Sequence, residues 1–456
     1  MPMPPVRRAS GRWLFRTISP DDDDGGDLVG GDYGRSLPDD ALSAVLARLP
    51  TAADVVRCAA TCRRWATVVA KDAATLSRTL TPPLHALTLG FFHQLEGAAE
   101  ATPRKRRRLS DTATAQPRFV PTAAAMRLLR GLLHGGPSTT ALADAVLDDE
   151  GRSSRLLEHA LPVAAHDGWL VVELRRERYT DGLTLCVCNP MTGDLAVVPS
   201  LSGSDKPGEY ACALYTGTGA GRQRPSFFRV LIVYNRRPST VLRSYSSDTG
   251  RWSAEVNRSW GPKITGEDLR SLGQGVVVRG VAYWPLRRTA LAVRLDTPEP
   301  AEMRMPSRGI APMPRGWRLL GVDPDDGEKL TSIDAGVCRD YLCLSIRATL
   351  RPGKDEEWAA ANPCIRLKQL KVHCPGDKLP PPFGETINLR WFCQKSGILL
   401  FTLGQGTGSP GAFALNMATE HLEKVAHGLD CSLWTSFVGY EIDGSTYLAS
   451  ILSRIN

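Results

Sequence analysis

Trp169-Leu170-Val171-Val172, then Leu183-Thr184-Leu185-Cys186-Val187-Cys188, the turn Asn189-Pro190-Met191-Thr192-Gly193 and Ala196-Val197-Val198-Pro199 set out the repeating unit of this chain. β-Branched, leucine and aromatic side chains fit a pleated, half-buried surface, and the bounding Gly, Pro, Asn and Asp residues supply turns, so each run reads as a short strand. The same order returns downstream. Phe228 to Tyr234 precedes Leu242-Arg243-Ser244-Tyr245-Ser246, the turn Ser247-Asp248-Thr249-Gly250 and Arg251-Trp252. Val276 to Trp284 precedes Leu291-Ala292-Val293-Arg294-Leu295, Asp296-Thr297-Pro298 and Met303-Arg304-Met305-Pro306. Looser copies follow at Gly336 to Ile346 with Ile365 to Leu370, at Trp391 to Phe401 with Phe413 to Asn416, and at Phe437 to Leu452. The turn-to-turn spacing of about 50 residues is the scale of a four-stranded propeller blade, which predicts a ring of roughly five or six β units. A two-sheet β-sandwich is the alternative arrangement of the same strands. In a ring, the terminal segment Phe437 to Asn456 is expected to close against an early strand, burying the faces beneath Tyr447, Leu448, Ile451 and Leu452.

Ahead of the strands the periodicity changes. Leu42, Val45, Leu46 and Leu49 recur at helical spacing as one apolar stripe, and Asp39 and Asp40 sit in the first turn, where a carboxylate opposes the helix dipole. Pro50 ends that helix, Asp54 helps to open the next, and Val55, Val56, Ala59 and Cys62 continue an apolar face toward Trp65, Val68 and Val69. Three short helices are expected. A bundle of about 35 residues buries too little surface to stand alone, because each fully buried Leu or Val supplies only about 1.5–3 kcal/mol. It needs a partner or a neighbouring domain.

The opening Leu37-Pro38, the Val45-Leu46-Ala47-Arg48-Leu49-Pro50 of the first helix and Cys62-Arg63-Arg64-Trp65 together resemble the F-box, a three-helix module that in its family docks on the Skp-type adaptor of cullin-RING ubiquitin ligases. The resemblance implies that Leu37, Pro38, Leu46, Leu49, Pro50, Val55 and Trp65 form or support the adaptor-facing surface. Ala59-Ala60-Thr61 departs from the family, which usually carries larger aliphatic residues there. The Asn-Pro-Met-Thr-Gly and Ser-Asp-Thr-Gly-Arg-Trp turns resemble those of the F-box-associated, kelch-like domains of plant F-box proteins.

The expected fold class is α+β and multidomain: a disordered tail over 1–35, a small N-terminal three-helix F-box over 36–80, and a mainly β, propeller-like domain over 81–456. The tail combines Pro, Gly and the run Asp21-Asp22-Asp23-Asp24 with little apolar periodicity. Residues 96–117 hold a flexible, basic insertion between the strand-like runs Leu87 to Phe92 and Arg118 to Pro121, which places the two runs in one sheet. A helical interlude is expected over 122–161, broken at Gly135-Gly136-Pro137, with β character from about residue 163.

At 456 residues and 42% hydrophobic content the chain can build a substantial core. No apolar run of about 18 residues suggests a membrane-spanning helix, and the Pro- and Arg-containing N-terminus lacks the apolar stretch of a secretory signal. An intracellular protein without a membrane partner is expected. Eleven cysteines, an odd number, several alternating with Val or Leu, read as reduced core thiols. The Asn257-Arg258-Ser259 sequon is then irrelevant. Of the net charge of +8, Arg104-Lys105-Arg106-Arg107-Arg108 supplies five units, so a basic groove along a folded surface, as nucleic-acid binding requires, is not expected. The run itself reads as a nuclear-import signal or as a solvated charged loop, which gives nucleus and cytoplasm as the expected localisation.

Catalytic and cofactor signatures are not expected. Cys186-x-Cys188 places both thiols on one strand face, Cys338 and Cys343 lack a matching pair, and Cys364, His373 and Cys374 read as loop residues near a strand end rather than metal ligands. Gly217-Thr218-Gly219-Ala220-Gly221 and Gly404-Gln405-Gly406-Thr407-Gly408 neither open a helix nor end in Lys-Ser or Lys-Thr, so they read as hairpin tips, and Asp323-Pro324-Asp325-Asp326-Gly327 as a turn. No Gly-x-Ser-x-Gly elbow or His-Glu-x-x-His helix occurs. Trp169, Trp284, Trp317, Trp391 and Trp434 read as core, with a ligand-lining face as the alternative. The expectation is a non-enzymatic, cofactor-free substrate-recognition subunit that binds the Skp-type adaptor, and through it cullin, by its F-box and an unknown target protein by its β domain. A ligand- or glycan-binding propeller acting independently of the ligase is the alternative; an enzyme on the propeller is the third reading.

Overall fold

The computed structural model describes residues 37–80, 86–95, 117–129, 160–175, 182–218, 225–236, 239–258, 264–286, 289–297, 300–304, 316–323, 326–338, 341–352, 358–360, 364–371, 387–404, 409–428, 431–432 and 434–451. The expected tail over 1–35 and all but Pro117 of the basic insertion over 96–117 therefore lie outside the described residues. So does most of the interlude, of which Ala123–Leu129 is helical, while Leu161 already opens a strand.

The N-terminal segment folds as four helices rather than three: α1 (Asp39–Leu46), α2 (Ala52–Ala59), α3 (Arg63–Lys71) and α4 (Ala73–Thr79). Asp72, at φ −100°, ends α3 and starts α4, a helix over residues to which the sequence reading gave no element. Thr51 caps α2, its Oγ1 accepting from the Asp54 backbone N–H at 3.2 Å. The Thr51 hydroxyl also donates to the Asp54 carboxylate at 2.7 Å and, with Arg57, holds that carboxyl below its usual range. Among the described residues three further short α-helices follow: α5 (Ala123–Leu129), α6 (Gly266–Ser271) and α7 (Gly444–Ser450).

The remainder is six antiparallel sheets in a ring, which excludes the sandwich. The first five blades follow the chain. Their inner strands are Leu161–His166, Tyr210–Thr218, Val276–Val278, Arg318–Val322 and Ile387–Cys393, and each blade grows outward through successive hairpins. The sixth is assembled from both ends. Its inner strand Trp434–Asp443 pairs with Ala86–Leu95, which pairs in turn with Arg118–Pro121. Inner strands of neighbouring blades touch around the ring, including Trp434–Asp443 against both Ile387–Cys393 and Leu161–His166, so the ring is closed. Separate apolar clusters fill the interfaces between blades one and two (Val171, Leu185, Ile232, Tyr234), two and three (Leu231, Leu242, Trp284, Leu291), three and four (Val278, Tyr283, Leu320) and four and five (Leu319, Leu344, Phe392, Phe401). Strands buried on both faces in this way carry near-continuous apolar runs, which is why Leu183 to Cys188 and Ile398 to Leu403 do not alternate cleanly.

The sixth blade differs. Its core, built on Leu89, Phe91, Phe92, Tyr440 and Ile442, is continuous with Leu42, Leu46, Val55, Val69 and Leu76 of the helical segment, through Tyr447, Leu448 and Ile451 in and after α7. Packing of α7 against α3 and α4 thus fuses the helices to the ring. Tyr447, Leu448 and Ile451, expected to bury their faces as the terminal segment closes on an early strand, are buried, the first two on α7 and Ile451 just after it. The closure is tied at one end of the inner strands. The Glu441 carboxylate accepts from the backbone N–H groups of Lys395 and Ser396, both at 3.2 Å, while its carbonyl accepts from the Gly168 N–H at 2.9 Å. Tyr440 donates its hydroxyl to the Gly168 carbonyl at 2.8 Å, and Lys395 pairs with Asp167, a non-glycine residue at φ 51°. Gly439 is needed here for space, since a Cβ would lie 2.3 Å from Cδ1 of Trp391.

Candidate functional site

Helix α1 divides the candidate adaptor residues into two sets. Leu42 and Leu46 point into the shared core and are fully buried, as are Val55 and Val56 of α2. Leu46 and Val55 can therefore only support a docking surface. Leu37, Pro38 and Pro50 are exposed, and Leu49 and Trp65 are half-buried, packed on the edge of that core. Val45, which helical spacing grouped with the buried stripe, is 48% exposed, and Leu37 is 56% exposed. These are two of the four large apolar side chains most open to solvent among the described residues. Both lie on the side of the module away from the core it shares with the propeller, each beside an exposed proline, Pro38 or Pro50. In the departing segment Ala59 is buried, Ala60 half-buried and Thr61 exposed, its hydroxyl donating to the Cys58 carbonyl at 2.7 Å.

One contributor escaped the sequence reading. Arg64 of α3 donates from Nε and Nη2 to Oδ1 of Asp39 at 3.2 and 2.9 Å, and from Nη2 to the Leu37 carbonyl. Arg64 and Asp39 lie 25 positions apart, so no local pattern signals the contact.

The propeller has two unlike faces. The end carrying Asp443 leads into α7 and the helical segment, and the tight turns at Asp167-Gly168 and Lys395-Ser396 meet Glu441 there. At the opposite end lie Trp434, its partner Leu95, and Arg118, which marks where the chain returns after the basic run. Arg104, Lys105, Arg106, Arg107 and Arg108 themselves lie outside the described residues. Near that face, Glu173 accepts from the Tyr210 hydroxyl at 2.6 Å and from Nε and Nη2 of Arg175 at 2.6 and 2.8 Å. Burial, with Glu173 as the next cause, drives the Tyr210 phenol well above its usual range. A phenol held this way is a structural donor rather than an acid–base group.

Trp284, Trp317, Trp391 and Trp434 are buried and Trp169 is half-buried, so they belong to blade packing. Cys186 and Cys188 are buried free thiols, and the hydrogen bond with the neighbouring Cys186, with burial second, raises Cys188 well above the usual thiol range. Among the described residues no group of three His, Cys, Asp or Glu side chains converges to hold a metal ion. His373 and Cys374, like 219–221 and 405–408 of the two glycine-rich runs, lie outside the described residues. Gly327 closes a turn on the Asp323 carbonyl at 2.8 Å. No described helix is long and apolar enough to cross a membrane.

Residues 35–80 match the F-box-like family. They form an F-box-like domain. Helices α1 to α4 account for it, and a six-blade β-propeller follows. No curated protein matches the sequence. Among solved structures the chain is similar to an α-L-arabinofuranosidase from Fusarium graminearum, at 13% identity and a TM-score of 0.34 over 58% of this chain and 79% of that one. It is similar also to an oligogalacturonate lyase in complex with manganese, at 12% identity and a TM-score of 0.30 over 58% of this chain and 63% of that one. The Dos1 propeller matches at 10% identity and a TM-score of 0.29 over 62% of this chain and 64% of that one. The chain thus spans less than two thirds of the latter two. At these scores the likeness carries no argument about chemistry; the six blades rest on strand pairing.

Proposed function

We propose that this chain is a target-recognition subunit of a Skp-cullin-F-box ubiquitin ligase: the F-box-like domain binds the Skp-type adaptor, and the propeller binds a protein to be ubiquitinated. The observation that carries this reading is the F-box-like segment at 35–80 with Leu37 and Val45 open to solvent beside Pro38 and Pro50. The chain itself then supplies no catalytic group. It holds the target where a charged ubiquitin-conjugating enzyme can reach a lysine, and tethering raises effective concentration without new chemistry. The propeller face opposite α7 is the proposed target side, because the F-box-like helices occupy the other. Nuclear entry through Arg104 to Arg108, with a cytoplasmic fraction, is part of the same proposal, as is kinship with the plant, kelch-like members of the family.

The test is co-purification with purified Skp-type adaptor. Leu37→Ala with Val45→Ala removes two side chains that are roughly half exposed in the free protein, so their burial on docking is worth roughly 2 kcal/mol, about thirtyfold in affinity. The fold is unaffected, since neither side chain is in the core. Leu46→Ala would be a poor probe, because it also opens the core shared with the sixth blade. Undiminished adaptor binding by the double variant would refute the docking surface.

A further inference from the structure

We infer that Arg64 is a positioning residue for the adaptor surface: its guanidinium, reaching from α3, straps the residues on both sides of Pro38 and so presents the Leu37 side chain before a partner arrives. The inference rests on the adaptor reading above. Pro38 is the N-cap of α1 and contributes no side-chain cap, and proline has no N–H with which to anchor itself. Its carbonyl accepts the first helical bond, from the Leu42 N–H at 3.0 Å. Arg64 anchors the residues on either side, through the Leu37 carbonyl and the Asp39 carboxylate.

The geometry favours positioning over bulk stability. The Arg64 and Asp39 side chains are 40% and 51% exposed, and an ion pair at that exposure adds little to global stability. What it changes is local. Leu37 is the most exposed of the large apolar side chains in the described structure, so packing restrains it less than any of the others. An unstrapped Leu37 would sample many orientations and would have to be ordered at the moment of docking; a strapped one does not, and preorganisation of this kind appears as affinity. The guanidinium suits the task because its planar fork donates along two directions at once, whereas a lysine ammonium is a compact point charge.

The experiment uses the full chain and purified Skp-type adaptor, comparing wild type, Arg64→Ala, Arg64→Lys, Leu37→Ala and the Arg64→Ala/Leu37→Ala pair by titration calorimetry. Hydrogen exchange of the free proteins is followed in peptides covering 37–46 and 63–79. Arg64→Ala should weaken binding about tenfold, and Arg64→Lys should keep most of that loss. The pair should bind scarcely more weakly than Leu37→Ala alone, because Arg64 acts through Leu37. Exchange should quicken in 37–46 and stay unchanged in 63–79. Wild-type affinity for Arg64→Ala, full additivity with Leu37→Ala, or faster exchange across 63–79 would each overturn the inference while leaving the adaptor reading intact. A wild-type chain that fails to bind the adaptor would overturn both.

Discussion

Replacing Leu448 by alanine should destabilise the F-box-like helices and the ring closure together. Leu448 is fully buried on α7, in one continuous cluster with Leu42, Val69 and Leu76 on one side and Phe91, Tyr440 and Ile442 on the other. Removing a buried leucine side chain down to alanine costs about 2–5 kcal/mol, the upper end applying where the surroundings cannot collapse into the space. Here α7 is held at its start by Asp443, whose carboxylate accepts from the Thr446 N–H at 3.1 Å, and the neighbouring cluster members are in contact from both sides, so little relaxation is available. A loss of about 3 kcal/mol is expected, a large share of the roughly 5–15 kcal/mol that holds a typical domain. The assay is native-state hydrogen exchange, because a multi-blade protein need not unfold in a single step. Peptides covering α2 to α4 and peptides covering Ala86–Leu95 and Trp434–Asp443 should lose protection by the same increment, while those of the third and fourth blades, whose cores are separate clusters, should lose less. Loss confined to the helices, with the sixth blade unchanged, would show that α7 does not join the two and would refute the shared core.

Acidification should act through His93. Its ring stacks on Trp434 at 3.9 Å, and burial, with Arg118 as a second cause, lowers its pKa to about 4. The unfolded chain therefore takes up a proton near pH 6.5 that the folded protein refuses until about pH 4, so stability falls as pH drops through that window, by about 3 kcal/mol in all. His93→Phe should flatten that part of a urea-midpoint-versus-pH curve, and an equally steep curve would count against the assignment. Replacing Arg104 to Arg108 with Ser and Gly should move a fluorescent fusion toward the cytoplasm; an unchanged nuclear fraction would leave a solvated loop as the reading of that run.

Strand content and helical spacing were legible because they depend on local pattern. Asn189 to Gly193 and Ser247 to Gly250 are turns of the first two blades, and the repeating runs, expected to make five or six units, fall one to each of six blades. The partner of Trp434–Asp443 was legible only in outline, since pairing with Ala86–Leu95 is set by ring geometry and leaves no mark within either segment. Helix α7 was missed although Tyr447, Leu448 and Ile451 have helical spacing, because β character dominates the preceding residues. At the candidate site the types of residue were legible and their directions were not. Val45 and Leu46 are adjacent and equally apolar, and only the position of α7 and the sixth blade decides that Leu46 faces inward.

The sixth blade is built from strands that leave the ribosome far apart in time. At roughly 5–20 residues per second, Ala86–Leu95 is made tens of seconds before Trp434–Asp443 can pair with it. During that interval the helices that carry Leu37 and Val45 lack α7 beneath them. A chain cut short by premature termination or proteolysis never acquires that support. Without Trp434–Asp443, Ala86–Leu95 has no inner strand to pair with and the first and fifth blades face a gap, so a chain lacking that strand exposes sheet edges where the full ring closes them.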